Sequence, residues 1–355
     1  MLHAGRPVGS DSVGALDYGR YMTVPVALVD NDQQATDQQA TDQQATDQQA
    51  TDQHATDESV PEETATVVVG TLSPSRASDF MVCPLLYRFR VIDRLPERPS
   101  AVATRGTMVH AVLERLFDLP PSERTLDQAA AMLQPAWERL LDVEPELGGI
   151  FTEQSEAAPD FAAWMASAVD LLRCYFSLED PQRLEPADRE VYVETVLESG
   201  LALRGYVDRI DVSPGGDVRV VDYKTGRAPA ENFEARALFQ MRFYALVVWR
   251  LRGVVPRMLQ MLYLGSGEVL RYEPDEADLR ATERKLIALW TAISRAIETG
   301  DWRPSPSRMC EWCDHKQRCP AFGGTPPPLP DATVAAGPVD VVLDAPSPRS
   351  RPDEL

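Results

Sequence analysis

The chain is short of positive charge and of long apolar runs, and each shortage excludes something. Its 355 residues carry 35 lysines and arginines against 55 aspartates and glutamates, a formal net charge of −20. Net charge therefore gives no general attraction to a polyanion, and any nucleic-acid contact must rest on local basic groups. No run of about 18 apolar residues occurs, so no membrane helix is expected. The apolar stretch Val24–Val29 is too short, and the N-terminus lacks a secretory pattern. A cytoplasmic protein is the expectation. The five cysteines, an odd number in a long chain, argue against a disulfide framework. The sequence contains no G-x-x-x-x-G-K-[ST], so it carries no P-loop motor of its own.

The acidity is uneven. Residues 1–67 hold 2 arginines against 12 acids, and residues 324–355 hold 2 against 5. Between Asp32 and Thr56 the pentapeptide DQQAT runs four times, followed by one DQHAT. A polar repeat of that period cannot bury enough apolar surface to offset chain entropy. Residues 1–70 are expected to be a disordered acidic tail, and the Pro-rich residues 324–355 a second one. One folded domain, residues 71–323, remains. Its best local basic candidate is the set Arg88, Arg90, Arg94 and Arg98.

Within that domain the chain is organised around residues 205–226, GYVDRIDVSPGGDVRVVDYKTG. Alternation through Val218–Val221 and the turn residues Pro214-Gly215-Gly216 predict a β-hairpin. Asp208 lies on its first strand, and Asp222 and Lys224 close the second on one face. Two carboxylates and an ammonium converging there suit a divalent cation and hydrolysis of a phosphodiester. An isolated D-x-K is more often only solvated, so the surrounding words matter.

Those words, G-Y-V-D-R-I-D and V-V-D-Y-K-T-G, resemble the PD-(D/E)xK nuclease superfamily, and within it the RecB-like exonucleases. The resemblance implies a restriction-endonuclease-like α/β core, a small mixed sheet flanked by helices, with a helical insertion. It also implies that R-G-T-x-V-H at residues 105–110 supplies His110 as a metal ligand. Asp208, Asp222 and the carbonyl of Tyr223 would join it around Mg²⁺ or Mn²⁺, which would activate a water while Lys224 orients it. Q-M-R-F-Y-A resembles the family's Q-x-x-x-Y motif, which places Gln240 and Tyr244 beside the site. Glu190 and Glu194, on one face of the preceding strand, are competing accessory carboxylates.

The last informative stretch is C-E-W-C-D-H-K-Q-R-C, with Cys310, Cys313 and Cys319 at metal-ligand spacing. With His315 they could form a Cys₃His zinc site. With the distant Cys83 they resemble the ligand set of the [4Fe–4S] cluster in AddB-type and CRISPR-associated nucleases, where four soft thiolates suit iron and sulfide. The cluster would be a structural clasp. Cys174 has no spaced partner and is expected to be a buried thiol. The function implied is a metal-dependent exonuclease acting on single-stranded DNA or DNA ends in repair or recombination, with any helicase supplied by another chain. A CRISPR-adaptation nuclease that trims DNA ends and a non-catalytic DNA-binding scaffold are the alternatives.

Overall fold

A computed structural model describes residues 67–152, 159–228, 234–330 and 332–334. In chain order the elements are β1 (Val67–Val69), β2 (Thr71–Leu72), α1 (Pro74–Val82), α2 (Pro84–Tyr87), α3 (Ala101–Leu116), α4 (Leu126–Ala131), α5 (Leu133–Val143) and α6 (Phe161–Leu178). There follow β3 (Asp188–Val196), β4 (Ala202–Val212), β5 (Val218–Lys224), α7 (Glu234–Arg252), β6 (Met258–Tyr263), β7 (Glu268–Tyr272), α8 (Glu276–Thr299) and β8 (Ala332–Val334).

Six strands form one mixed sheet in the order β2-β4-β5-β6-β7, with β3 also paired to β4. The hairpin pairs antiparallel from Arg209↔Val221 to Val212↔Val218. β5 and β6 run parallel over Arg219↔Met258 to Lys224↔Tyr263, with α7 as the crossover between them. All six residues of β6 are buried, as a strand covered on both faces requires.

Two helical layers cover the sheet. On one face Phe243, Leu246 and Val247 of α7 and Leu286 and Ile293 of α8 pack with Val220, Leu259 and Met261. On the other, Met108 and Leu113 of α3, Trp137 of α5 and Leu172 of α6 pack with Val221, Tyr223 and Leu262. Each such fully buried side chain contributes on the order of 2 kcal/mol of transfer free energy. α4, α5 and α6 are inserted between α3 and β3 and build most of the second layer.

Local signals fix the helix ends. Ser73 caps α1 ahead of Pro74, and Asp275 and Asp278 form a capping box at α8. α8 stops at Gly300 in the left-handed region, φ 68°.

Two apolar stretches are interrupted, and two short strands pair outside the main sheet. The apolar stretch 73–89 is not one helix: it breaks at Cys83, which is extended (φ −162°), and restarts at Pro84. Proline has no N–H to give to the preceding turn and fits a first helical turn, so the break falls there. The stretch 125–141 likewise divides at Met132. Parts of the expected tails are paired: Val67–Val69 runs parallel to Ala332–Val334. The DQQAT repeats and residues 335–355 lie outside the described residues.

Candidate metal and catalytic site

β4 is the strand from which the site is built. It pairs with β3 along nearly its whole length, and on its other side with β2 at residues 202–203 and with β5 at 209–212. Between those two neighbours the edge of residues 204–208 is open. β5 leaves β4 after Val221 and continues beside β6 alone, so Asp222–Lys224 lies across a fork from Asp208. There the carboxylate of Asp208 takes the role of a ladder acceptor: its Oδ2 receives the Tyr223 N–H at 2.7 Å.

The strand is irregular at this point. The β3–β4 ladder skips the position where Glu190 faces Asp208, and Glu190 has φ 41°, a costly conformation for a side chain of its kind. Leu203 and Val207 enter the core beneath α7, and so does Ile210, which alternation would send to the other face. The parity therefore changes next to Asp208, which lets it and Glu190 turn together toward α3.

α3 supplies His110 to the same place. Gly106, one turn earlier, lets the helix approach the end of β5, since a Cβ there would lie 3.1 Å from Thr225 Oγ1. His110 Nδ1 is 3.4 Å from Glu190 Oε1 and 3.5 Å from Asp208 Oδ2. Burial disfavours the imidazolium, but the carboxylates of Asp208 and Glu190 outweigh it and push the His110 pKa up to about 10. Burial would raise Asp208, yet His110, Lys224 and the Tyr223 N–H together hold it below its usual range.

Asp222 belongs to an adjoining group. Its Oδ2 is 2.7 Å from Lys224 Nζ; Gln240 joins them, accepting from Lys224 Nζ at 3.0 Å and donating to Asp222 Oδ1 at 3.2 Å. Burial, with the nearby Asp208 charge, pushes the Asp222 pKa up to about 6 against the pull of Lys224. Lys224 is itself raised, because Asp222 and Asp208 outweigh its desolvation. One carboxyl is pushed down and its neighbour up, as happens when two acids share a confined space. Tyr244 is buried over Gly205 of β4: a Cβ at Gly205 would lie 2.8 Å from Tyr244 Cε1, so only glycine permits that approach.

One ligand atom each from His110, Glu190 and Asp208 lies within 4.8 Å of the others, a grouping that could hold a metal ion. Glu190 Oε2 is buried there without a hydrogen-bond partner, and an oxygen–nitrogen donor set of this kind fits a hard divalent cation. Of the two competing acids, Glu190 stands at the site, whereas Glu194 is exposed opposite Arg204. The Tyr223 ring packs edge-on against His110, centroids 5.9 Å apart, and its hydroxyl accepts from Arg209 Nη1 at 2.7 Å.

Cys83, Cys310, Cys313 and Cys319 line a single cavity, with Leu86 and Phe89 among its walls. Backbone N–H groups already face two of the sulfurs: Ser305 N lies 3.4 Å from Cys83 Sγ and Ser307 N 3.3 Å from Cys310 Sγ. Burial pushes the Cys313 thiol up, as do the other three cysteines, against the His315 N–H. His315 does not line this cavity. Its buried ring turns to Glu97, Nε2 to Oε1 3.0 Å, so the geometry does not assemble the Cys₃His arrangement. Cys174, on α6, is partly exposed beside Gly267.

The arginine set expected as a basic patch is largely neutralised. Arg88 pairs with Asp93 at 3.0 Å, Arg90 with Asp79 and Glu97 at 2.6 and 2.8 Å, and Arg98 with Asp314 at 2.8 Å. Three of these acids are near neighbours in the chain, and only Asp314 comes from far away, 216 residues from Arg98.

The model of the PD-(D/E)XK nuclease superfamily matches residues 71–320. The Gene 69 protein of Mycobacterium phage D29 is 30% identical over 281 residues, covering 70% of this chain and 96% of that protein. The Gene 69 protein of Mycobacterium phage L5 is 24% identical over 285 residues, with the same coverage of 70% and 96%. Among solved structures, a candidate exonuclease from Eubacterium rectale matches with a TM-score of 0.46 at 13% identity, over 69% of this chain and 88% of that one. With its matched region spanning the fork, the histidine helix and the cysteine segment, the chain belongs to the PD-(D/E)XK nuclease superfamily.

Proposed function

We propose that the chain is a metal-dependent DNA exonuclease of the RecB-like branch that acts on single strands or DNA ends. The observation that carries this is the convergence at one fork of Asp208 and Asp222 with His110, Glu190 and Lys224. His110, Asp208 and Glu190 would hold Mg²⁺ or Mn²⁺, with Asp222 and the Tyr223 carbonyl completing the set. The ion, when bound, would lower the pKa of a water and neutralise charge on the scissile phosphate. Lys224, held by Gln240 and Asp222, would orient that water or neutralise charge developing on the phosphate. Gln240 shares its amide between lysine and aspartate and keeps the pair in register. A [4Fe–4S] cluster on Cys83, Cys310, Cys313 and Cys319 is the structural partner of this centre. A role in repair or recombination follows if another chain does the unwinding.

The test is a cleavage assay with oligodeoxynucleotides labelled at either end, in Mg²⁺ and in Mn²⁺. Wild type should shorten them, and Asp222→Ala and Lys224→Ala should lose roughly 100- to 1,000-fold in rate, the usual loss for one electrostatic group of an active site. Equal rates in wild type and Asp222→Ala would remove the mechanism.

A further inference from the structure

We infer that Tyr192 and Tyr206 form a stacking platform for one unpaired base of a nucleic-acid strand whose backbone lies in the neighbouring metal centre. The inference rests on the nuclease reading above and adds to it the residues that would take one base of the strand. The two tyrosines face each other directly across β3 and β4, with ring centroids 5.3 Å apart and ring planes tilted by 59°. Tyr192 is 44% exposed, on a strand that forms an edge of the sheet.

Their place on the sheet points to the substrate. Tyr192 is two residues from Glu190 and Tyr206 two from Asp208, so all four side chains leave the same face. The shift in parity does not disturb this, because Val207, between Tyr206 and Asp208, still enters the core on the opposite face. At about 3.4 Å per residue the ring pair stands roughly 7 Å from the carboxylates. A stacked nucleotide step rises about 3.4 Å, so an unstacked, extended step spans the gap. Among the described residues β3 packs mainly on β4 and on α7, which lies on the other face, while Glu194 and Val196 continue the exposed row.

The ring is also held in place. The Tyr192 hydroxyl donates to the Glu194 carboxylate, and Glu194 stands opposite Arg204 on β4. A tethered ring loses little freedom when a base settles on it. Every base offers a π-face, so such a platform accepts any sequence. It rejects a duplex, whose bases are already stacked on one another. A pair that merely stabilised the sheet edge would need no neighbouring centre, and the experiment must tell the two apart.

Fluorescein-labelled oligothymidylate is titrated with the full-length protein in EDTA, where no cleavage occurs, and anisotropy gives the affinity. Tyr192→Ala should weaken binding about 5- to 100-fold, the loss of one base–aromatic stack. Tyr192→Phe, which keeps the ring, should stay within about twofold. An abasic residue moved along the oligonucleotide should find one position where wild type weakens and Tyr192→Ala does not weaken further. Binding of Tyr192→Ala equal to wild type, or losses that simply add, would overturn the platform. Cleavage in Mg²⁺ is followed in parallel. Tyrosine-dependent binding without cleavage would keep the platform and discard the nuclease reading; cleavage with tyrosine-independent binding would do the reverse. A wild type that neither binds nor cleaves would remove both.

Discussion

His110 stands between two carboxylates, and the sign of its shift sets what a cation must do to enter. With Glu190 and Asp208 beside Nδ1 the imidazole keeps its proton up to about pH 10 in the metal-free protein. A folded pKa above the ordinary 6.5 stabilises the metal-free fold below pH 6.5, and that stabilisation fades as pH rises through about 10. A coordinating histidine must be neutral, so cation uptake near neutral pH expels the proton. Titration with Mn²⁺ in two buffers of different ionisation heat should show about one proton released per ion. His110→Ala should abolish that release and weaken uptake. Uptake by wild type with no proton change would show that the imidazole is not a ligand.

At the scale of elements, the fork keeps its shape because a buried ionic group ties β4, β5 and α6 together just behind it. Arg209 grips Glu179 with both Nη atoms, at 2.8 and 3.0 Å, and lies 3.1 Å from Asp211, which also takes Arg219 at 2.8 Å. All four side chains are nearly inaccessible. Arg209→Met leaves the buried Glu179 without its ion-pair partner and Asp211 with Arg219 alone, so a loss of about 3–5 kcal/mol is expected in urea unfolding. Burial would raise Glu179, but Arg209 outweighs it and holds the carboxyl below its ordinary 4.5. That contribution is present above pH 4.5 and lost as pH falls, so the wild-type advantage over Arg209→Met should shrink in acid. A variant as stable as wild type at pH 7 would mean that the group adds nothing.

The same scale explains what could be read from the chain. The hairpin alternates and α6 and α8 are long with an apolar stripe, whereas α7 is buried at nearly every position from Met241 to Val248 and shows almost no helical period. β1, β2 and β8 are two or three residues long and carry no period at all. Alternation puts Glu190 and Glu194 on one strand face and cannot choose between them. The choice is made by pairing register, which sets Glu190 against Asp208, and by the backbone turn at φ 41°. The Tyr192–Tyr206 pair was hidden for the same reason, since it exists only once β3 is laid against β4.

At the scale of the whole molecule, the chain leaves the first helices at Cys83 and returns to them 227 residues later at Cys310, with the site's strands in between. Side chains already hold the two ends together: Arg98 to Asp314, Glu97 to His315, and Arg88 to the Pro327 carbonyl. Partly exposed ion pairs such as Arg98–Asp314 contribute little, so a four-thiolate cluster would be the main closure. Closing a loop of that length removes unfolded-chain entropy worth about 5 kcal/mol in a crosslink model. Protein purified without oxygen should be brown, with broad absorption near about 400 nm, and should hold roughly four irons. Cys83→Ser should bleach it and lower the unfolding temperature by roughly 5 °C or more. Because Cys83 does not touch the fork, residual cleavage by the variant below its new transition is expected, which separates loss of the clasp from loss of the catalytic group. Colourless wild type carrying stoichiometric zinc would overturn the cluster, and a Cys83→Ser protein melting with the wild type would overturn the clasp.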